Sequence, residues 1–198
     1  MTIRHCLVCA ALAILLAACV AAQKLPRPLG EFSISSVDGP PIKLSSSHGK
    51  PLLVFFLLTT CPHCQETTRM LNRLKPVYAT RGLQIVGSAI DDASPQNAVK
   101  LFLKNFQPAF PLGYSDPMAT LSFCDYSTSR LPHLPILLFV DRTGNILEQH
   151  EGADADYFGT NQEQRLRASI EALLASGLKP AAAKGKAAPT KSVAPAAK

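Results

Sequence analysis

No stretch of this chain is both long and apolar enough to cross a bilayer. The best candidate, the core from Leu7 to Leu16, offers ten or so residues, about half of what a transmembrane helix needs. The body of the chain also lacks a charge surplus. The formal net charge is +6, but Arg4 and the five lysines Lys179, Lys184, Lys186, Lys191 and Lys198 sit outside the body. All 14 acidic residues fall between Glu31 and Glu171, and the body from Lys24 to Glu171 carries 14 basic groups that balance them. A neutral body excludes the basic footprint that nucleic-acid binding requires. From Lys179 onward the chain is Ala, Pro and Lys with almost no large apolar side chain. Such a segment cannot bury enough surface to offset chain entropy, so residues 179–198 are expected to be a disordered tail. No internal repeat breaks up the remainder, and residues 25–178 suffice for a single core.

What the N-terminus does contain is an export pattern: Arg4, the apolar core, then small residues at Ala17-Ala18 and Ala21-Ala22. Residues 1–22 read as a signal peptide. Leu16-Ala17-Ala18-Cys19 resembles a bacterial lipobox, which would make Cys19 a lipidated N-terminus and a membrane anchor; cleavage near Ala22 is the alternative. Of six cysteines, Cys6 and Cys9 leave with the leader and Cys19 is lipidated or lost. The exported part keeps Cys61, Cys64 and Cys124, an odd number in a compartment that permits disulfides.

Cys61-Pro62-His63-Cys64 follows the apolar run Leu52–Leu58 directly. Two thiols at the end of a buried strand are placed to open a helix, where unpaired N–H groups and the positive end of the helix dipole favour a thiolate. The helix face continues with Met70, Leu71, Leu74, Val77 and Tyr78, and Pro76 is expected to kink or end it. Leu83–Ile90 reads as a second strand closed by Asp91-Asp92. Ser94-Pro95 reads as an N-cap and first helical residue, and Asp116-Pro117 repeats that signal for a short helix through Phe123. Phe110–Leu112 is a short extended piece. Ile136–Val140, the turn Asp141-Arg142-Thr143-Gly144 and Asn145–Gln149 form an antiparallel pair. Asn161 to Ser176 closes the domain as an amphipathic helix, and Glu31 to Lys43 adds a hairpin in front.

This order of elements resembles the thioredoxin fold. Within it the chain looks most like the extracytoplasmic TlpA/ResA group, in the AhpC/TSA-type superfamily. Three features carry the resemblance: Lys50-Pro51 leading into the strand and Cys61-Pro62-His63-Cys64; Leu134-Pro135 leading into Ile136–Val140 and Asp141-Arg142-Thr143-Gly144-Asn145; and the extra N-terminal segment. It implies a three-layer α/β/α domain with a central mixed sheet and an N-terminal hairpin. Pro135 would be cis and face the dithiol, with Leu134 presenting its backbone to an extended substrate. The chain departs from thioredoxins in two places. It has no tryptophan, and Thr60 stands before the first cysteine. Leu52–Leu58 holds no titratable residue, which leaves the proton of Cys64 to water, Glu66 or His63.

The expected chemistry is thiol:disulfide exchange with cysteine-containing envelope proteins, without a cofactor and with a membrane thiol relay as redox partner. Cys61 attacks and Cys64 resolves the mixed disulfide. The whole-domain resemblance favours a reductase of the cytochrome-assembly type. Pro62-His63 matches the DsbA-type oxidants instead, so oxidation or isomerisation is the alternative. A copper chaperone using Cys61, Cys64 and His133 is a further alternative, since soft thiolates suit Cu(I). Cys124 reads as a buried apolar thiol, or else as a third redox thiol that pairs with a partner or accepts the bond from Cys64. A peroxiredoxin would need proline and threonine where Val54 and Leu58 stand, and haem attachment would need histidine in place of Gln65.

Overall fold

The computed structural model describes residues 25–91, 93–127 and 132–177. Residues 1–22, read above as a signal peptide and containing Cys19, and residues 179–198 lie outside the described residues. Within them the strands are β1 (Arg27–Pro28), β2 (Ser33–Ile34), β3 (Ile42–Lys43), β4 (Leu52–Leu57), β5 (Gln84–Ala89), β6 (Leu112–Tyr114), β7 (Ile136–Val140) and β8 (Asn145–Glu151). The helices are α1 (Pro62–Ala79), α2 (Pro95–Phe106), α3 (Pro117–Phe123), α4 (Ala155–Phe158) and α5 (Gln162–Ser176). Among the described residues no helix is long and apolar enough to cross a membrane.

Six strands form one mixed sheet in the order β1-β8-β7-β4-β5-β6, with β4, β5 and β6 parallel and β7, β8 and β1 joined antiparallel. The uninterrupted apolar run of β4 has a structural reason: all six residues are buried, so both faces of the strand must be apolar. Alternate side chains then divide two cores. Leu53, Phe55 and Leu57 join Leu71, Leu74 and Tyr78 of α1, Val99 and Phe102 of α2, and Leu166, Ile170 and Leu173 of α5. Leu52, Val54 and Phe56 face the other way, onto Leu29, Ile34, Leu44 and Cys124. The second layer is thus built by the N-terminal segment and the end of α3. The β2–β3 ladder forms the expected hairpin, and Ser35 bridges it to Tyr114 at the sheet edge.

Two expectations need correction and one is narrowed. Of the two outcomes expected at Pro76, the helix does not end there: α1 runs on to Ala79. Proline removes one helical hydrogen bond, but Leu74 and Tyr78 on either side are buried in the core and hold the last turn in place. Ser94 precedes α2 as expected but is no side-chain cap: it sits at φ 48°, ψ 55° without a cap hydrogen bond, and its carbonyl accepts from Asn97 and Ala98 instead. The extended piece after α2 lies two residues later than expected, at Leu112–Tyr114, because Gly87 N–H bonds to Pro111 and fixes the parallel register there. Asp116, by contrast, accepts the Ala119 N–H at 2.7 Å, a true N-cap. Sequence reading missed β1 and α4; the latter is a single turn capped by Asp154.

Candidate active site

The carboxyl ends of β4 and β5 meet at one corner of the sheet, and the dithiol sits there. Cys61 is the N-cap of α1: its backbone is extended at φ −74°, ψ 119°, and its sulfur accepts the Cys64 N–H at 3.4 Å. Pro62 occupies the first helical position, where its missing N–H costs nothing. The Cys61 sulfur thus receives an amide hydrogen bond at the positive end of the helix dipole. Cys61 is partly exposed, whereas Cys64, one turn on, is fully buried. Both are thiols in this structure. Burial pushes the Cys64 thiol far up from its ordinary range. Its hydrogen bond with Cys61 and the charges of Cys61 and Asp91 add to that, while a backbone bond to Leu58 opposes it.

From across the corner, the loop before β7 closes on the dithiol. The Leu134–Pro135 peptide bond is cis, and Cys61 Sγ lies 3.8 Å from the Leu134 carbonyl oxygen, to which the thiol points. Gly152, just past β8, donates its N–H to the His133 carbonyl at 2.8 Å. It must be glycine there, because an added Cβ would collide with the Leu134 carbonyl oxygen. Below the dithiol, Gln162 of α5 donates to Thr67 at 2.8 Å, and Thr67 and Thr68 donate back to the carbonyls of His63 and Cys64.

The residues singled out from sequence therefore separate. Cys61, Cys64, Leu134 and Pro135 converge. Pro62 and His63 are exposed on the outer side of the first turn, and Glu66 pairs with Arg69 at 3.2 Å along the helix surface rather than turning inward. His133 is exposed while Cys64 is buried. Among the described residues no group of three or more His, Cys, Asp or Glu could hold a metal ion. The copper-site reading of Cys61, Cys64 and His133 is therefore corrected: the three do not gather.

One residue was overlooked. Asp91 directly follows β5, and its carboxylate accepts the Thr59 N–H at 3.2 and 3.1 Å and the Thr59 hydroxyl at 2.7 Å. No local pattern marks it: only because β4 and β5 are parallel neighbours does the acidic residue after the second strand fall next to the turn after the first.

The sheet, the dithiol at a helix N-terminus and the proline loop facing it together define a thioredoxin-like thiol:disulfide oxidoreductase. The Redoxin family profile matches residues 21–164, and the chain belongs to that family. It is 25% identical over 127 residues to the thiol-disulfide oxidoreductase ResA of Bacillus cereus, covering 64% of this chain and 69% of the relative. Among solved structures it is similar to a thiol:disulfide interchange protein of the thioredoxin family from Chlorobium tepidum, with a TM-score of 0.62 and 24% identity over 77% of this chain and 99% of that one. A secreted Mycobacterium tuberculosis disulfide oxidoreductase homologous to E. coli DsbE shares the fold at a TM-score of 0.55 and 18% identity, covering 72% and 96% of the two chains.

Proposed function

We propose that this protein exchanges disulfides with cysteine-containing proteins outside the cytoplasm, with Cys61 as nucleophile and Cys64 as resolving thiol. One observation carries the assignment: the partly exposed Cys61 sulfur accepts the Cys64 amide at the start of α1, while Cys64 itself is buried. A substrate disulfide can reach the first sulfur and not the second. The extended backbone on either side of that disulfide would lie against Leu134 and Pro135. The export reading of residues 1–22, a mature domain over residues 25–178 and a lipid anchor at Cys19 support an extracytoplasmic site, as does the likeness to a secreted oxidoreductase.

The favoured direction is reduction, in line with the likeness to ResA, with electrons resupplied by a membrane thiol relay. Disulfide donation is the second reading, and the exposed histidine between the two thiols favours it, since a positive charge there would stabilise the reduced form. The equilibrium reduction potential of the Cys61/Cys64 pair decides between them. A value near roughly −270 mV supports the reductase, and one near −120 mV overturns it in favour of the oxidant.

A further inference from the structure

We propose that Asp91 is a positioning residue for this exchange: its carboxylate pins the turn that carries Cys61, and its negative charge delays the step in which Cys64 releases the substrate. The inference rests on the assignment of Cys61 and Cys64 above and extends it to a residue on another strand.

The geometry is a clamp. Leu57 and Ala89 are register partners, and the Ile90 N–H bonds to the Leu57 carbonyl at 2.9 Å, so the two chains leave the sheet together. Asp91 then takes both donors of Thr59, backbone and hydroxyl. The Thr59 carbonyl in turn accepts the Gln65 side-chain amide at 3.0 Å, and the Cys61 N–H bonds to Leu58 at 3.2 Å. The chain Asp91–Thr59–Gln65 thus brackets the dithiol, fixing the residue two before Cys61 to the residue just after Cys64. Among the described residues no lysine or arginine forms an ion pair with Asp91. A neutral amide would serve Thr59 as well, so the negative charge is surplus to the clamp.

The clamp sets that charge near the resolving thiol: Thr59, held by Asp91, bonds Gln65, the residue after Cys64. Burial is the main cause that raises the Cys64 thiol, and the charges of Cys61 and, least, of Asp91 add to it; His63 and His133 are exposed. In the resolving step Cys64 gives its proton to solvent and its sulfur attacks Cys61 Sγ of the mixed disulfide. The Cys61–Cys64 bond forms, the bond to the substrate breaks, and the substrate sulfur leaves as a thiolate that takes up a proton. The protein dithiol is oxidised and the substrate disulfide reduced. A negative charge beside Cys64 lowers the thiolate population on which the step depends. The mixed disulfide therefore lives longer, giving a protein substrate time to be held at Leu134 and Pro135.

The test follows the Cys61–Cys64 peptide by acid quench and mass spectrometry after mixing the reduced full-length protein with glutathione disulfide. In the wild type, glutathionylated Cys61 rises and then decays into the internal disulfide. Asp91→Asn, which keeps size and one acceptor, is expected to shorten that decay at neutral pH, by about threefold for each unit that the Cys64 pKa falls. A tenfold gain in thiolate per pKa unit is offset about threefold by lower nucleophilicity. The pH profile of the decay moves to lower pH in the same variant. Asp91→Glu, which keeps the charge, and Thr59→Val, which loses only the hydroxyl, hold the wild-type pH profile. Decay in Asp91→Asn that is unchanged or slower, on an unmoved profile, overturns the inference. If the wild type forms neither the adduct at Cys61 nor the internal disulfide, the assignment of the dithiol fails instead, before any variant is compared.

Discussion

Cys64 and Cys124 are both completely buried, and burial pushes both thiols up, Cys124 to about 12 with Arg27 opposing and Asp125 adding. Taken alone, each would be an inert thiol. What distinguishes them is the face of the sheet. Cys64 lies in the core built by α1, α2 and α5, with the sulfur of Cys61 bonded to its amide. Cys124 lies in the opposite core at the C-terminus of α3, its amide bonded to Thr120 and its carbonyl held by Gln149. A disulfide needs Cα atoms within about 7 Å, and β4 and β7 stand between the two sites. Burial makes a cysteine quiet, and in the proposed exchange an adjacent, partly exposed thiol at a helix N-terminus is what makes Cys64 the resolving one. The idea of Cys124 as acceptor of the bond from Cys64 gives way to this separation.

The largest effects that could break this contrast come from the dithiol itself. Cys61→Ser should abolish reduction of a protein disulfide, whereas Cys64→Ser should accumulate mixed disulfides on Cys61, seen as slower bands on non-reducing gels. The reverse pattern would exchange the two roles. Next comes Gly152→Ala, whose new Cβ meets the Leu134 carbonyl. We expect about 1–3 kcal/mol of lost stability from overpacking together with slower exchange, because the carbonyl beside Cys61 must move. Unchanged exchange would show that the loop before β7 does not position the substrate. Smaller still, Cys124→Ala should cost about 1 kcal/mol in denaturant unfolding, the size expected for one buried heavy atom, and leave exchange rates unaltered. A fall in exchange would reconnect the two faces of the sheet.

The contrast also marks how far the sequence could be read. Leu52–Leu57 followed by Cys61-Pro62-His63-Cys64 announced a doubly covered strand running into a redox helix, because apolar runs and capping positions are local facts. Asp116 was legible for the same reason. Asp91 was not, because its role depends on which strand neighbours β4, a tertiary fact that no local pattern of the Asp91-Asp92 pair contains. Gly152 was equally silent: its need for glycine comes from Leu134, which reaches it through a loop and not along a strand. Pro76 does not end its helix because a local cost is outweighed by burial of its neighbours, and Ser94 misled because its backbone turned left-handed.

The smallest effect asks whether the dithiol side of the sheet, unlike the side of Cys124, is tied to a titration near neutrality. Near Cys124 the charged pair is Arg27 with Asp125 at 2.9 Å. On the dithiol side it is a histidine, the one side chain whose ordinary charge change falls between pH 5 and 8. His150 stacks on Tyr157 with ring centroids 3.7 Å apart and lies 3.0 Å from Asp154 and 3.3 Å from Glu148, which also accepts the Ser169 hydroxyl. Burial works against its protonation, but the hydrogen bonds to Glu148 and Asp154 outweigh it and raise its pKa above the ordinary 6.5. The stabilisation from His150 is therefore complete below pH 6.5 and fades as the pH climbs through the higher folded value. Hydrogen bonds from His150 lower both carboxylates, against burial, from their ordinary 4.5 for Glu148 and 3.8 for Asp154, so their contribution is present above those values and fades on acidification. The cluster thus holds best between about pH 4.5 and 6.5. Denaturant unfolding should show the wild type losing up to about 1 kcal/mol of stability between pH 6 and 8, a limit set by solvent screening of half-exposed groups. His150→Gln should lose less over the same range. Parallel pH dependences in the two proteins would mean that the imidazole is neutral throughout and that its stacking on Tyr157, not its charge, is what holds α4 against β8.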